Sequence, residues 1–330
     1  MKSRTLRIAF GVAISVFFLA LAVRNIDWRE TVNALQSANY LYIVPIMAAT
    51  VWTLYIRAQR WRVFIEPIGV VPMPVLVAAT NIGFMANMLL PLRIGEIVGP
   101  VLVSRRQKLP LGSLLATALL QRIFDMFTIL LLFGISVATV PVSEDARKLG
   151  YTLTGLAAVV GGVIVLMRWQ EQFAIGVVRN VCDLLPTRIG GPMHRFALGF
   201  VKALEVLDSP AAFLRAFGWS LYLWIAIAAL NGLALVAFRL PVRASVVVTA
   251  IVAVAVSVPS APGFLGSFQY GCKLALEIFS VAPSDAFAYS IVLHVTQFVG
   301  IVAAGVYSLW SENMTLRDVE AIQPSDDAVA

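Results

Sequence analysis

Asn87-Met-Leu-Leu-Pro91-Leu-Arg93-Ile-Gly95-Glu96 interrupts an otherwise apolar stretch from Pro72 to Ser104, and the threading of that stretch decides the fold. Arg57, Arg60 and Arg62 precede it, and Arg105, Arg106 and Lys108 follow it. A simple membrane crossing would put these two basic clusters on opposite sides of the bilayer. Lys and Arg instead accumulate in cytoplasmic loops. A re-entrant hairpin brings both clusters to the cytoplasmic side. Its two arms, each roughly 14–20 residues, suit half-helices better than full spans.

The rest of the chain reads outward from there. Of 330 residues 60% are apolar and only 13% charged, and the mean hydropathy is +0.87. Soluble domains carry about 25% charged residues, so the composition specifies a polytopic membrane protein. Leu6–Val23, Tyr40–Ile56, Ser113–Val140, Tyr151–Met167, Phe213–Phe238 and Ala286–Trp310 are expected to cross the bilayer. The first also fits a signal peptide cleaved near Ala20-Leu-Ala22, but its apolar run is long for one. Ala244 to Ser280 is broken at Pro259-Ser-Ala-Pro-Gly-Phe-Leu-Gly266 and enters from the external side as a second hairpin. Arg239 and Arg243 run against that orientation.

The expected fold is an all-α polytopic integral membrane protein of six full transmembrane helices plus two re-entrant helical hairpins, with both termini cytoplasmic. Each half reads span, span, hairpin, span and crosses an odd number of times, which inverts the second half. Residues 1–140 form the first repeat and 141–312 the second, including an amphipathic cytoplasmic connector over 168–210. A polar tail over 313–330 is expected to be disordered. Pro91-x-x-x-Gly95 parallels Pro262-x-x-x-Gly266. Arg122-x-x-Asp125 follows the first motif at nearly the interval at which His294-x-x-Gln297 follows the second. Inverted repeats with broken helices are a transporter pattern.

Composition also excludes classes. Cys182 and Cys272 are too few for a disulfide framework, and two histidines without a Cys/His cluster supply no metal site. The net charge of +7 reflects cytoplasmic loops rather than nucleic-acid binding. No G-x-S-x-G, H-E-x-x-H, P-loop or dinucleotide-binding glycine pattern is present, so neither a catalytic motif nor a cofactor is expected.

Charges at membrane depth are costly and mark function or structural pairing. Arg93 and Glu96 lie across the first tip, and Arg122 and Asp125 share one helix face. They form either two structural ion pairs or a shared polar cavity for a charged substrate. Helices restarting near Gly95 and Ser267 would point free N–H groups at the midplane, which favours an anion. Arg93 and Arg122 add guanidinium forks suited to phosphate oxygens. Asn81, Asn87, Asn231, Gln269, His294 and Gln297 are expected chiefly in interhelical hydrogen bonds. Lys273 and Glu277 read as a local i,i+4 pair, and Trp28, Trp61, Trp169 and Trp310 as interfacial anchors.

Asn87-Met-Leu-Leu-Pro91-Leu-Arg93-Ile-Gly95-Glu96, then Gln121-Arg122-Ile-Phe-Asp125, then Pro259-Ser-Ala-Pro262-Gly263-Phe-Leu-Gly266 occur in order. This series resembles the transmembrane region of bacterial lysylphosphatidylglycerol synthases, over about residues 5–312. The resemblance implies a helical bundle with two re-entrant hairpins and a role in moving phospholipids between leaflets. It implies substrate-binding roles for Arg93, Gly95, Glu96, Arg122, Asp125, Gly263, Gly266 and Gln269. The match departs at Gly99, where the family often has Arg, and at Gln269, where it often has Glu, so headgroup specificity does not carry over. The soluble aminoacyl-transferring domain is missing, so lysine transfer is not expected. The leading expectation is a translocator of phospholipid, or of a lipid-linked headgroup bearing phosphate, in the bacterial inner membrane. A homo-oligomer or a lipid-synthesis partner protein stays open. The alternatives are a membrane enzyme or accessory subunit of lipid or glycan assembly, and a small-solute carrier.

Overall fold

A computed structural model describes residues 2–90, 93–139, 204–207, 209–257 and 262–320, together with positions 148, 151–152, 155 and 159. Every regular element among them is helical. Helix α1 (Lys2–Val23) turns by 85° into a short helix α2 (Trp28–Ser37). Asp27 caps α2, accepting from the N–H groups of Arg29 at 2.8 Å and Glu30 at 3.2 Å. Helix α3 (Ile43–Ile65) precedes the first broken stretch, α4 (Met73–Leu89) and α5 (Gly95–Gln107). After α6 (Leu111–Thr139) come α7 (Pro210–Ala237), α8 (Ser245–Ala255), α9 (Ser267–Glu277), α10 (Pro283–Ser311) and α11 (Leu316–Glu320). Proline opens α4, α7 and α10 in the first turn, where its missing N–H has no intrahelical partner to lose.

Among the described residues four helices are long and apolar enough to cross a membrane: Tyr40–Ile65, Leu111–Ser136, Pro210–Ala237 and Pro283–Ser311. The bent α1–α2 pair raises the number to five at most. The molecule is an all-α, multi-pass membrane protein. Most of the expected span Tyr151–Met167, the bulk of the amphipathic connector over 168–210, Trp169, Pro91 and Pro259-Ser-Ala lie outside the described residues.

Both broken stretches fold back on themselves. In the first, Gly83 sits against Gly95 and Gly99, and Gly99 against the Ala79 carbonyl, an antiparallel register. The Gly83 carbonyl leaves no room for a Cβ at Gly95, so this close approach requires glycine at both positions. At the open end of this hairpin, Val71 and Leu109 share one apolar cluster with Ile65, Leu309 and Val319. In the second, Gly271 of α9 lies against Val252 and Ala255 of α8, and Arg243 stacks over Phe279 at 5.9 Å.

The chain direction puts the two open ends at opposite ends of the bundle. The C-terminus of α3 meets the N-terminus of α7 through Glu66 and Arg215, and Arg106 beside the first hairpin pairs with Glu312 after α10. At the other end, Asn39 donates to the Ala237 carbonyl at the end of α7, and Asp27 N–H to Ser284 at the start of α10. The second hairpin opens there, beside both. The tips meet in between: Gly263 lies against the Met88 carbonyl, and the Arg93 guanidinium sits 5.4 Å over the Phe264 ring.

Three expectations need correction. The helix begun at Tyr40 does not stop at Ile56 but runs to Ile65, which takes Arg57 and Arg60 out of the basic cluster expected on the cytoplasmic side. Only Arg62 of that trio is exposed. Trp61 is not an interfacial anchor: it is buried and donates to Thr117 Oγ1 at 3.0 Å. Finally, the 313–330 tail is not wholly without structure. Thr315 and Asp318 close a reciprocal cap on α11, and Val319 is buried.

Candidate functional site

The helix α3 sequence Arg57-Ala-Gln-Arg60-Trp61 places its two arginines at i and i+3, on one face. That face looks toward the α4–α5 hairpin and α6. Between them lies a cavity of about 90 Å³, room for several water molecules. Arg57, Arg60, Asn87, Glu96, Gln121 and Arg122 give it a polar lining.

Arg60 and Asp125 form an almost fully enclosed ion pair between α3 and α6. Arg60 Nη2 also reaches Asp125 Oδ2 at 3.3 Å and Gln121 Oε1 at 3.4 Å. Trp224 of α7 donates Nε1–H to Asp125 Oδ1 at 2.8 Å. Arg122, half exposed, bridges the two carboxylates, at 3.0 Å from Glu96 Oε1 and 3.6 Å from Asp125 Oδ2. Arg93 Nε lies 3.4 Å from the same Glu96 oxygen. Arg57 forms no ion pair among the described residues; its guanidinium stacks 4.6 Å over Phe84.

The four charged residues singled out in sequence are therefore one connected network, centred on Glu96 and Asp125. Gly95 opens α5 beside them, next to Asn87. Gly263, Gly266 and Gln269 are not brought into this cavity. Gln269 Oε1 accepts from Gly266 N–H at 2.8 Å, and its Nε2 lies 2.8 Å from His294 Nδ1. His294 stacks on Phe268, with ring centroids 4.5 Å apart. Gly266, at φ 87°, lies against the Ser15 carbonyl and Leu19 of α1, where a side chain has no room. These three residues shape the second tip, and Gly263 fits it to the first.

Other polar residues fill structural roles. Asn81 donates to Ser308 Oγ at 3.0 Å, and Asn231 to Thr249 Oγ1 at 2.7 Å. Lys273 does more than face Glu277. Its Nζ donates to the carbonyls of Leu21, Ala22 and Arg24, satisfying the C-terminal end of α1. Sequence reading missed Arg57 and Arg60 because both follow an apolar run at the expected span end. The signal was their i,i+3 spacing alongside Trp61 and Phe64, which continues the helix inward.

Three buried polar atoms in or beside the cavity make no hydrogen bond among the described residues: Arg60 Nε, Asn87 Oδ1 and Arg93 Nε, the last held only by its ion pair with Glu96. Such atoms cost stability unless something pairs with them. No cluster of three or more His, Cys, Asp or Glu residues that could hold a metal occurs among the described residues.

Comparison with known proteins agrees with this architecture. The family model for the lysylphosphatidylglycerol synthase TM region matches residues 8–305. A curated relative, glycosyltransferase AglD of Haloferax volcanii, is 25% identical over 352 residues, covering 95% of this chain and 56% of that protein. The chain thus spans about half the length of the curated relative it matches. With nearly its whole length matched, the chain belongs to the lysylphosphatidylglycerol synthase transmembrane-region family.

Proposed function

We propose that the chain is a bacterial inner-membrane translocator that admits the phosphate-bearing headgroup of a lipid into the arginine-lined cavity and leaves the tails in the bilayer. The carrying observation is the charge of the cavity. Arg57, Arg60 and Arg122 line it, Arg93 joins them through Glu96, and among the described residues their acidic partners are Glu96 and Asp125. Guanidinium groups in a low-dielectric site bind phosphate oxygens strongly. Phosphate on a lipid headgroup is the anion that a bilayer presents at the border of its apolar layer.

Helix packing supports an inverted repeat with two re-entrant hairpins. Exchanging α3 with α7, α4 with α8, α5 with α9 and α6 with α10 maps one set of packed pairs on the other. Thus α3–α4 corresponds to α7–α8, α5–α6 to α9–α10, α4–α10 to α8–α6 and α3–α10 to α7–α6, and all eight pairs pack. Hairpins entering from opposite ends and meeting at their tips suit alternating access by rocking of the halves. The basic residues Arg62, Arg105, Arg106 and Lys108 favour a cytoplasmic placement for the end carrying the first hairpin's opening. Both termini are cytoplasmic in this arrangement, and the chain works as a carrier without covalent chemistry.

A second reading is an accessory role in glycan or lipid assembly. It is favoured by the relative that is a glycosyltransferase. Reconstitution in liposomes separates the two. Accelerated appearance of labelled phospholipid in the opposite leaflet, lost in Arg57→Gln, supports translocation. Chemical turnover of the lipid, or solute uptake without lipid movement, overturns it.

A further inference from the structure

We propose that the cavity selects a dianionic phosphate headgroup, as on a phosphomonoester or diphosphate-linked lipid, over a singly charged phosphodiester or an aminoacylated headgroup. This rests on the lipid-binding reading above and goes further, to the charge of the cargo.

The argument is a charge balance. The ion-pair network holds three arginines, Arg60, Arg93 and Arg122, and two carboxylates, and Arg57 in the cavity lining adds a fourth arginine, which leaves two positive charges in surplus. Asp125 is taken by Arg60 and further held by Trp224. Glu96 is shared between Arg122 and Arg93. The charges acting on Arg57 come from Asp125, Arg60 and Arg122, one attractive and two repulsive. Nothing within the described residues neutralises Arg57, and the aromatic face of Phe84 offsets its charge only in part. Uncompensated charge at membrane depth is costly. A ligand with two negative charges brings the site to neutrality, a phosphodiester leaves it at one positive charge, and a cationic headgroup worsens the imbalance.

The unpartnered atoms agree with the charge. Arg60 is buried, yet its Nε–H has no acceptor. Asn87 is also buried, and its Oδ1 has no donor. A terminal phosphate presents three acceptor oxygens to converging guanidinium forks. Asn87 then accepts from a hydroxyl of the headgroup or from a water carried with it. The cavity volume of about 90 Å³ admits a group of that size but not a bulky headgroup in full.

The test measures calorimetric binding to the full chain in detergent micelles at about pH 8, where a phosphomonoester is doubly ionised. The probes are short-chain phosphatidic acid, short-chain phosphatidylmethanol and inorganic phosphate. The two lipids differ by one methyl ester and one charge. Phosphatidic acid is expected to bind about tenfold tighter or more. Arg57→Gln should bring the ratio of the two affinities close to one, and Arg57→Lys should keep it well above one. Equal binding of the two lipids by the folded wild type overturns the proposal, as does a ratio unchanged in Arg57→Gln. Inorganic phosphate binding as tightly as phosphatidic acid overturns the lipid source. Failure of both lipids to bind overturns the lipid-headgroup reading itself.

Discussion

The Arg60 guanidinium and the Asp125 carboxylate form a closed ion pair that joins α3 to α6, and Trp224 ties α7 to the same carboxylate. Three helices thus meet at one buried charge. This makes Asp125 a structural anchor and leaves Glu96, Arg122 and Arg57 as the accessible part of the cavity. A partner for Asp125 on its own helix, Arg122, is the more distant of the two arginines, at 3.6 Å.

Removing one partner of the Arg60–Asp125 pair should be costly, by about 3–5 kcal/mol, because the other charge stays buried. Asp125→Asn and Arg60→Gln are each expected to lower the melting temperature in detergent sharply. The double variant Arg60→Gln with Asp125→Asn should lose less than the two single losses combined. Exchanging Arg122 and Asp125 should not rescue folding, since an arginine at 125 would face Arg60. A thermal melt of all four variants checks this, and full additivity would show that the pair is not coupled.

Gly95→Ala and Gly218→Ala should behave oppositely. A Cβ at Gly95 collides with the Gly83 carbonyl, and backbone cannot move aside without parting α4 from α5. Overpacking of this kind costs about 1–3 kcal/mol. Gly218 in α7 has open space around it, so alanine there should be neutral or stabilise by up to about 1 kcal/mol. Equal melting temperatures for the two variants would contradict the close approach in the first hairpin.

Gln269→Leu should destabilise the fold without changing the phospholipid preference of the purified protein. It strands the Gly266 N–H and the His294 ring nitrogen, and each unpaired buried group costs about 1–3 kcal/mol. Gln269→Glu keeps an acceptor for Gly266 and should lose less. A changed lipid preference with an unchanged melt would move Gln269 into the binding site.

Cysteines placed at Glu66 and Gln107, in a background lacking Cys182 and Cys272, should both resist a membrane-impermeant thiol reagent added to intact cells. A cysteine at Arg239, exposed at the opposite end of the bundle, should react. Reaction at just one of the first two sites would mean that the stretch 72–104 crosses the membrane.

The charges at Arg62 and Arg105–Lys108 pointed to a fold-back in the first broken stretch, and α4 does pack antiparallel against α5. The restart of helix at Gly95 and Ser267 followed from the proline and glycine at each break. The same local reasoning failed at Arg57 and Arg60. A guanidinium after an apolar run can snorkel to the interface or turn inward, and only a partner decides which. For Arg60 that partner, Asp125, is 65 residues away. Gln269 makes the interhelical hydrogen bond expected of it, but its partner was not legible: it is His294, 25 residues on, with the Gly266 backbone beside it.

The amino-acid sequence by itself determined an all-helical membrane protein with two interrupted stretches, since composition, apolar run length and Pro–Gly breaks are properties of neighbouring residues. It also marked Arg93, Glu96, Arg122 and Asp125 as charges out of place. Only the tertiary structure decided which partners they pair with. Helix packing put Arg60 against Asp125, brought Arg57 to the cavity unpaired, and set the two tips in contact at Gly263 and Met88. Burial and pairing depend on which helix faces meet, and at membrane depth the free energy of a charge depends on that meeting more than on the residue itself.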